Sequence, residues 1–180
     1  MNIAIIGPES SGKSTLGNAL ATTLNGRYVE EYARHYIEQL RRPYNYLDVL
    51  HIARIQQSQL QERGAGFVVF DTDLIITKVW LQYKYGHCPQ WIADALLPFS
   101  NPIDLYLLCP PVLPFVEDPV REHPHERQEL YNIYLQEVEY THLPYAIITG
   151  IEPQERLRQA LKAVSESTLS AASCLTDCPD

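Results

Sequence analysis

The sequence predicts an α/β fold, a parallel sheet with helices on both faces. Short β-branched runs alternate with longer segments of helical period, the pattern of strands and crossover helices. The runs are continuously apolar, as in strands buried on both faces. A glycine-containing loop joins the first run to the first helical segment.

The expected strands are Asn2–Ile6, Arg27–Glu30, Phe67–Asp71, Ile103–Leu108 and Tyr145–Thr149. Between them lie apolar stripes at i, i+3/i+4 spacing. Lys13–Leu24 carries Leu16, Leu20 and Leu24, and Tyr46–Arg63 carries Val49, Ile52, Ala53 and Leu60 before Gly64. Glu126–Tyr140 carries Leu130, Ile133, Tyr134 and Val138, and Pro153–Ser165 opens with a first-turn proline. Two shorter helices are expected over Leu74–Tyr85 and Gln90–Leu97. Cys109 to Pro124 breaks the rhythm, with five of the thirteen prolines, and a loop of that length commonly covers a site. The expected organisation is one domain over residues 1–166, followed by an unstructured tail over 167–180.

The net charge of −8 argues against broad binding of nucleic acid or anionic membrane, which needs a basic surface, yet leaves room for a basic phosphate pocket. The run Ile3–Ile6 is too short to span a bilayer and lacks the flanks of a signal peptide, so the cytoplasm is the expected location. Cys88, Cys109, Cys174 and Cys178 are then expected to be reduced. Neither Cys174-x-x-x-Cys178 nor His123-Pro124-His125 has the further ligands of a metal site.

The most specific signal is Gly7-Pro8-Glu9-Ser10-Ser11-Gly12-Lys13-Ser14, which fits GxxxxGK[ST] between a buried strand and a helix. Its backbone N–H groups can curl around the β- and γ-phosphates, and the helix N-terminus adds unpaired donors and dipole. Lys13 is assigned to the β/γ-oxygens and Ser14 to Mg²⁺, with Thr15 next in line for the α-phosphate. This P-loop predicts binding of Mg·ATP without naming the reaction. No Asn-Lys-x-Asp guanine reader occurs, and Phe67–Phe70 leads into Asp71-Thr72-Asp73 without the Asp-Glu of many motor ATPases. Both absences favour transfer to a bound acceptor over transfer to water.

Glu30 and Glu31 end the second strand, and Asp71 and Asp73 end the third, on the edge where open α/β sheets bind ligands. One carboxylate near the metal and one near the acceptor hydroxyl suits phosphoryl transfer. Glu31 and Asp71 can exchange these roles, and Glu30 and Asp73 have a competing reading as helix caps or solvated charges. Tyr36, Tyr44, Tyr46, Trp80, Tyr83, Tyr85 and Trp91 follow these strands, and a flat cationic ring could stack on some of them.

Gly7–Thr15, Glu31-Tyr32-Ala33-Arg34, Phe70-Asp71-Thr72-Asp73 and Phe115–Arg121, in that order, resemble the ribosylnicotinamide kinase domain of NadR proteins. The resemblance covers roughly residues 2 to 165. It implies a three-layer P-loop NTPase fold, a five-stranded sheet of order 2-3-1-4-5, and transfer of the ATP γ-phosphate to the 5′-hydroxyl of nicotinamide riboside. Carried over, Lys13 and Ser14 hold the triphosphate and Mg²⁺, Asp71 supports the metal, and Glu31 faces the ribose hydroxyl. Arg121 and Arg127 become lid arginines, and Glu30, Tyr32, Arg34, Asp73 and Trp80 join Glu31 on the acceptor side. NadR proteins carry an adenylyltransferase domain before the kinase, whereas this sequence starts at the kinase strand. Glu30 also stands where the family has an aromatic residue. Another small-molecule kinase, or a nucleotide-sensing ATPase module acting on a partner protein, remains the alternative at this level.

Overall fold

The computed structural model describes residues 1–61, 66–118 and 125–176, with side chains to Leu169. The strands are β1 (Asn2–Ile6), β2 (Arg27–Val29), β3 (Val68–Asp71), β4 (Leu105–Leu108) and β5 (Tyr145–Ile147). They form one parallel sheet in the order β2-β3-β1-β4-β5. The helices are α1 (Lys13–Thr23), α2 (Tyr32–Gln39), α3 (Tyr46–Gln61), α4 (Leu74–Tyr85), α5 (Gln90–Ala95), α6 (Arg127–Thr141) and α7 (Pro153–Thr176).

The three layers follow from the two-residue period of a strand. Ile3 and Ile5 of β1, with Val69, Leu105 and Leu107, pack against Leu16 and Leu20 of α1 and Ala160 and Val164 of α7. Ala4 and Ile6, with Val68, Phe70 and Leu108, face the other way, onto Val49 and Ala53 of α3, Val79 of α4 and Val138 of α6. Ile5 is fully buried, so truncation to alanine there would cost about 2–5 kcal/mol.

Register aligns the carboxyl ends of the central strands. Ile5 pairs with Asp71, Ile6 with Leu108, and Val29 with Phe70. Gly7, Glu30, Asp71 and Cys109 therefore leave the sheet at one edge. Gly17 gives Tyr28 room to lie on α1, since a Cβ there would stand 2.7 Å from Tyr28 Cε2.

Two elements depart from expectation. Helix α2 occupies Tyr32–Gln39, where periodicity gave no helix; Ala33 is its one buried residue, too little apolar signal to register. Helix α7 continues to Thr176, so 167–176 are helical rather than an unstructured tail. Leu169, Ala171, Ala172 and Leu175 are good helix formers, Pro179 is the first breaker, and extending a formed helix avoids the nucleation penalty.

Candidate active site

The phosphate loop turns between β1 and α1. Gly7 lies against the β4 exit, where a Cβ would stand 2.3 Å from the Cys109 carbonyl oxygen. Gly12, at φ 76°, precedes α1 in the left-handed region that favours glycine. Ser10 also has positive φ, 54°, a rare state for a residue with a Cβ. The N-terminus of α1 has no side-chain cap and no acid in its first turn, which leaves its donors and dipole to an anion. Lys13 Nζ donates to the carbonyls of Gly7 and Pro8, at 3.0 Å each.

A cavity of about 290 Å³ runs from this loop to an aromatic wall. Gly7 and Glu9 to Thr15 form one end. Ala33, Arg34 and Ile37 of α2, Ile76, Trp80 and Tyr83 of α4, and Leu130 and Tyr134 of α6 form the sides, with Tyr44 from the α2–α3 connection. Trp80 Nε1 donates to the Tyr44 hydroxyl at 3.1 Å, and the two rings meet edge to face with centroids 5.0 Å apart. Lys84 Nζ lies 3.9 Å from the centre of the Tyr44 ring.

Glu31 lines this cavity and also a second one of about 400 Å³, which it shares with Ser14 and Asp71. Burial pushes the Glu31 carboxyl above the usual range; Lys13 and Arg34 pull it down, while Asp71 and Glu9 add to the rise. Asp71 is buried, and Tyr28 donates its hydroxyl to Asp71 Oδ2 at 2.9 Å. Desolvation and the Asp71 charge raise the Tyr28 pKa, so the phenol stays a donor. Asp71 Oδ1 is buried with no hydrogen-bond partner among the described residues. A buried carboxylate oxygen without a partner is costly, and a cation is what such an oxygen suits. The donor set of Ser14 and Asp71 fits Mg²⁺, which takes one or two protein oxygens and fills its shell with phosphates and water. Among the described residues, no group of three or more His, Cys, Asp or Glu side chains could hold a metal.

The proline-rich segment after β4 crosses the loop. Ser10 Oγ accepts from Val116 N at 3.1 Å, and Arg34 donates to Asp118 Oδ2 at 2.8 Å.

Several expected site residues lie elsewhere. Asp73 is fully buried; it caps α4 by accepting from Ile75 N at 2.9 Å and takes a 2.6 Å hydrogen bond from Tyr106. It is a structural residue, not an acceptor ligand. Glu30 is exposed and borders the second cavity but not the main one, because it follows the last residue of β2, whereas Glu31 stands at the start of α2 and borders both. Tyr32 points away as well, with its hydroxyl 3.1 Å from His51 Nε2 and its ring stacked on Tyr36. Arg127 is not poised on a lid: it is buried and donates to the carbonyls of Glu9, Ser10 and Leu113. Pro8 is outside the cavity lining and takes part through its carbonyl. Arg121, His123, Pro124 and Cys178 lie outside the described residues.

Of the seven aromatics singled out, Tyr44, Trp80 and Tyr83 reach the cavity. Tyr36 donates to Asp48, Tyr46 packs on Tyr85 and His87, and Trp91 lies under Arg54. Sequence reasoning missed Tyr134, which belonged to the apolar stripe of α6, and Arg156 of α7. Arg156 is buried and donates to the carbonyls of Ser11 at 2.7 Å and Gly150 at 3.0 Å. No spacing signal marks a residue so far along the chain as a partner of the loop. Among the described residues, no helix is long and apolar enough to cross a membrane.

The chain is 27% identical over 173 residues to the trifunctional NAD biosynthesis/regulator protein NadR of Escherichia coli (strain K12), covering 91% of this chain and 42% of that protein. The chain thus spans less than half the length of that relative. The structure of a NadR protein in complex with NR superimposes with a TM-score of 0.73 at 24% identity, over 93% of this chain and 51% of the other. A NadR structure in complex with NAD and AMP-PNP gives a TM-score of 0.69 at 25% identity, over 93% and 49%. The AAA domain family matches residues 2–156, and the chain belongs to that family.

Proposed function

We propose that the chain is a P-loop phosphotransferase that moves the γ-phosphoryl group of ATP to the 5′-hydroxyl of nicotinamide riboside, giving nicotinamide mononucleotide. The observation that carries this reading is the position of Glu31. It borders both the cavity that joins the phosphate loop to the aromatic wall and the side cavity of Ser14 and Asp71. A carboxylate there stands between a bound triphosphate and an acceptor in the aromatic part.

In this reading the phosphate-loop amides and the α1 N-terminus bind the β- and γ-phosphates. Lys13 leaves its two carbonyl partners for the β/γ-oxygens, supplying charge where it develops in the transition state. Mg²⁺ arriving with the nucleotide would be held by Ser14 and Asp71 and would neutralise phosphate charge. The riboside lies with its pyridinium against Trp80, Tyr44 and Tyr83, where a cationic ring gains from π faces. Glu9 and Glu31 add negative charge to the same cavity. The ribose oxygen attacks the γ-phosphorus, the bond to the ADP oxygen breaks, and the hydroxyl proton passes to Glu31. The raised proton affinity of Glu31 suits it to accept that proton.

The NadR relative and the complexes with NR and with AMP-PNP support the same acceptor and donor. The test compares nicotinamide riboside with its 5′-deoxy analogue in the presence of Mg·ATP, with products identified by mass spectrometry. A phosphorylated riboside from the first and none from the second is expected. Equal ATP consumption with both, and no phosphorylated product, would remove the assignment. Loss of turnover in a well-folded Lys13→Ala variant is the companion result expected of a phosphate-loop mechanism.

A further inference from the structure

Three consecutive carbonyls of the phosphate loop are held from outside by buried guanidinium groups. Arg127, the first residue of α6, donates from Nε to Glu9 O at 2.9 Å and from Nη2 to Ser10 O at 3.2 Å. Its Nη2 also reaches Leu113 O at 2.9 Å, which ties the start of the covering segment to the same point. Arg156 of α7 donates from Nη2 to Ser11 O at 2.7 Å and from Nη1 to Gly150 O at 3.0 Å.

We propose that Arg127 and Arg156 are positioning residues that orient the peptide planes of the phosphate loop, and that Arg156 also supplies a buried positive charge answered by the polyphosphate. The proposal rests on the phosphate-loop reading but not on the identity of the acceptor.

A trans peptide places its N–H opposite its C=O. Drawing the carbonyls of Glu9, Ser10 and Ser11 outward therefore turns the N–H groups of Ser10, Ser11 and Gly12 the other way, toward the cavity those residues line. The loop needs this help, because Ser10 has φ 54° and Gly12 φ 76°, and glycine-rich backbone is free to rotate. The guanidinium is suited to the task, since its planar fork reaches two carbonyls with fixed geometry.

Charge is the second part. Arg156 is 3% exposed, and among the described residues it forms no ion pair. Its partners are two carbonyls and the Cys109 thiol. A buried cation without a counter-charge is costly, and its field acts strongly on an anion nearby. Its Nη2 lies 3.4 Å from where a Cβ on Gly12 would stand, just behind the phosphate loop.

The test measures Kd for ATP and for AMP by calorimetry with Arg156→Lys, Arg156→Met and Arg127→Lys, beside thermal unfolding of each. Lysine keeps the charge but puts all its donors on one nitrogen, so it cannot match the separate Nη1 and Nη2 positions that reach Gly150 O and Ser11 O, and Arg156→Lys is expected to weaken ATP roughly 10-fold. Arg156→Met loses charge and fork together, and a loss on the order of 100-fold is expected for ATP. AMP, which lacks the β- and γ-phosphates, is expected to change little, so the ATP/AMP preference collapses. If Arg156→Met does not fold, the two lysine variants decide. Folded lysine variants with the parental ATP/AMP preference, whatever their unfolding temperature, would overturn the proposal. Loss of nicotinamide riboside turnover alone does not bear on it, because both probes are donor-side nucleotides.

Discussion

Replacing Asp73 with asparagine separates a structural carboxylate from a catalytic one. Burial pushes the Asp73 carboxyl from its ordinary 3.8 up to about 6, although the hydrogen bonds from Tyr106, Ile75 and Ile76 oppose the rise. Above pH 6 the folded protein carries a buried carboxylate that the unfolded chain would hydrate. Between the two values the native state binds the extra proton, so this group's contribution to stability declines as pH rises from about 4 through 6. At about 1.4 kcal/mol per tenfold change in proton affinity, the contribution is about 3 kcal/mol in all. The asparagine side chain keeps an oxygen to cap α4 and does not titrate. Urea unfolding of both proteins from pH 4 to 7 is therefore expected to show the parent losing about 2 kcal/mol relative to the variant, most of the full contribution. Turnover per folded molecule is expected to stay near the parent's, because Asp73 does not line the cavity. Parallel pH profiles would mean that Asp73 does not carry this pH dependence, and a folded variant without turnover would make Asp73 a catalytic group.

Tyr28→Phe removes the donor to Asp71 Oδ2 while leaving the ring packed on Gly17. The Mg²⁺ concentration for half-maximal nucleotide binding is expected to rise roughly 10-fold, as when a partner that orients a metal-binding carboxylate is lost. An unchanged Mg²⁺ titration would detach Tyr28 from the metal. Trp80→Ala opens the aromatic wall, and acceptor KM is expected to rise roughly 10-fold or more, with ATP KM unchanged. A change confined to ATP would place the base slot elsewhere.

The fold was legible because its strands are buried on both faces and its first loop is constrained by chemistry. Val68–Asp71 and Leu105–Leu108 are unbroken apolar runs up to Asp71, and no other element type suits runs so short. The resemblance implied the strand order, which local pattern cannot carry, since pairing depends on residues far apart in sequence. On the site, residue type and place along the strand located Lys13, Ser14, Glu31 and Asp71 at one edge. Direction of the side chain was the missing quantity. Glu30 and Glu31 are adjacent and chemically alike, and only the turn from β2 into α2 decides which faces the cavity. Asp73 and Asp71 differ in the same way, with Thr72 between them at φ 94°, a strained state that local propensity does not anticipate. Arg127 read as a lid arginine and Arg156 drew no reading, because carbonyl partners leave no mark in sequence.

In the proposed reaction Glu31 has the role of connecting the bound triphosphate to an acceptor hydroxyl. Its most direct test is a single-turnover measurement of Glu31→Gln with saturating Mg·ATP and nicotinamide riboside, beside calorimetric titration of Mg·ATP. Glutamine keeps the size of the side chain and cannot take a proton. The expected result is an Mg·ATP affinity near the parent's and phosphoryl transfer slower by roughly 100-fold or more. Transfer at the parental rate, or lost Mg·ATP binding with transfer intact at saturation, would contradict that role and make Glu31 a bystander or a nucleotide ligand.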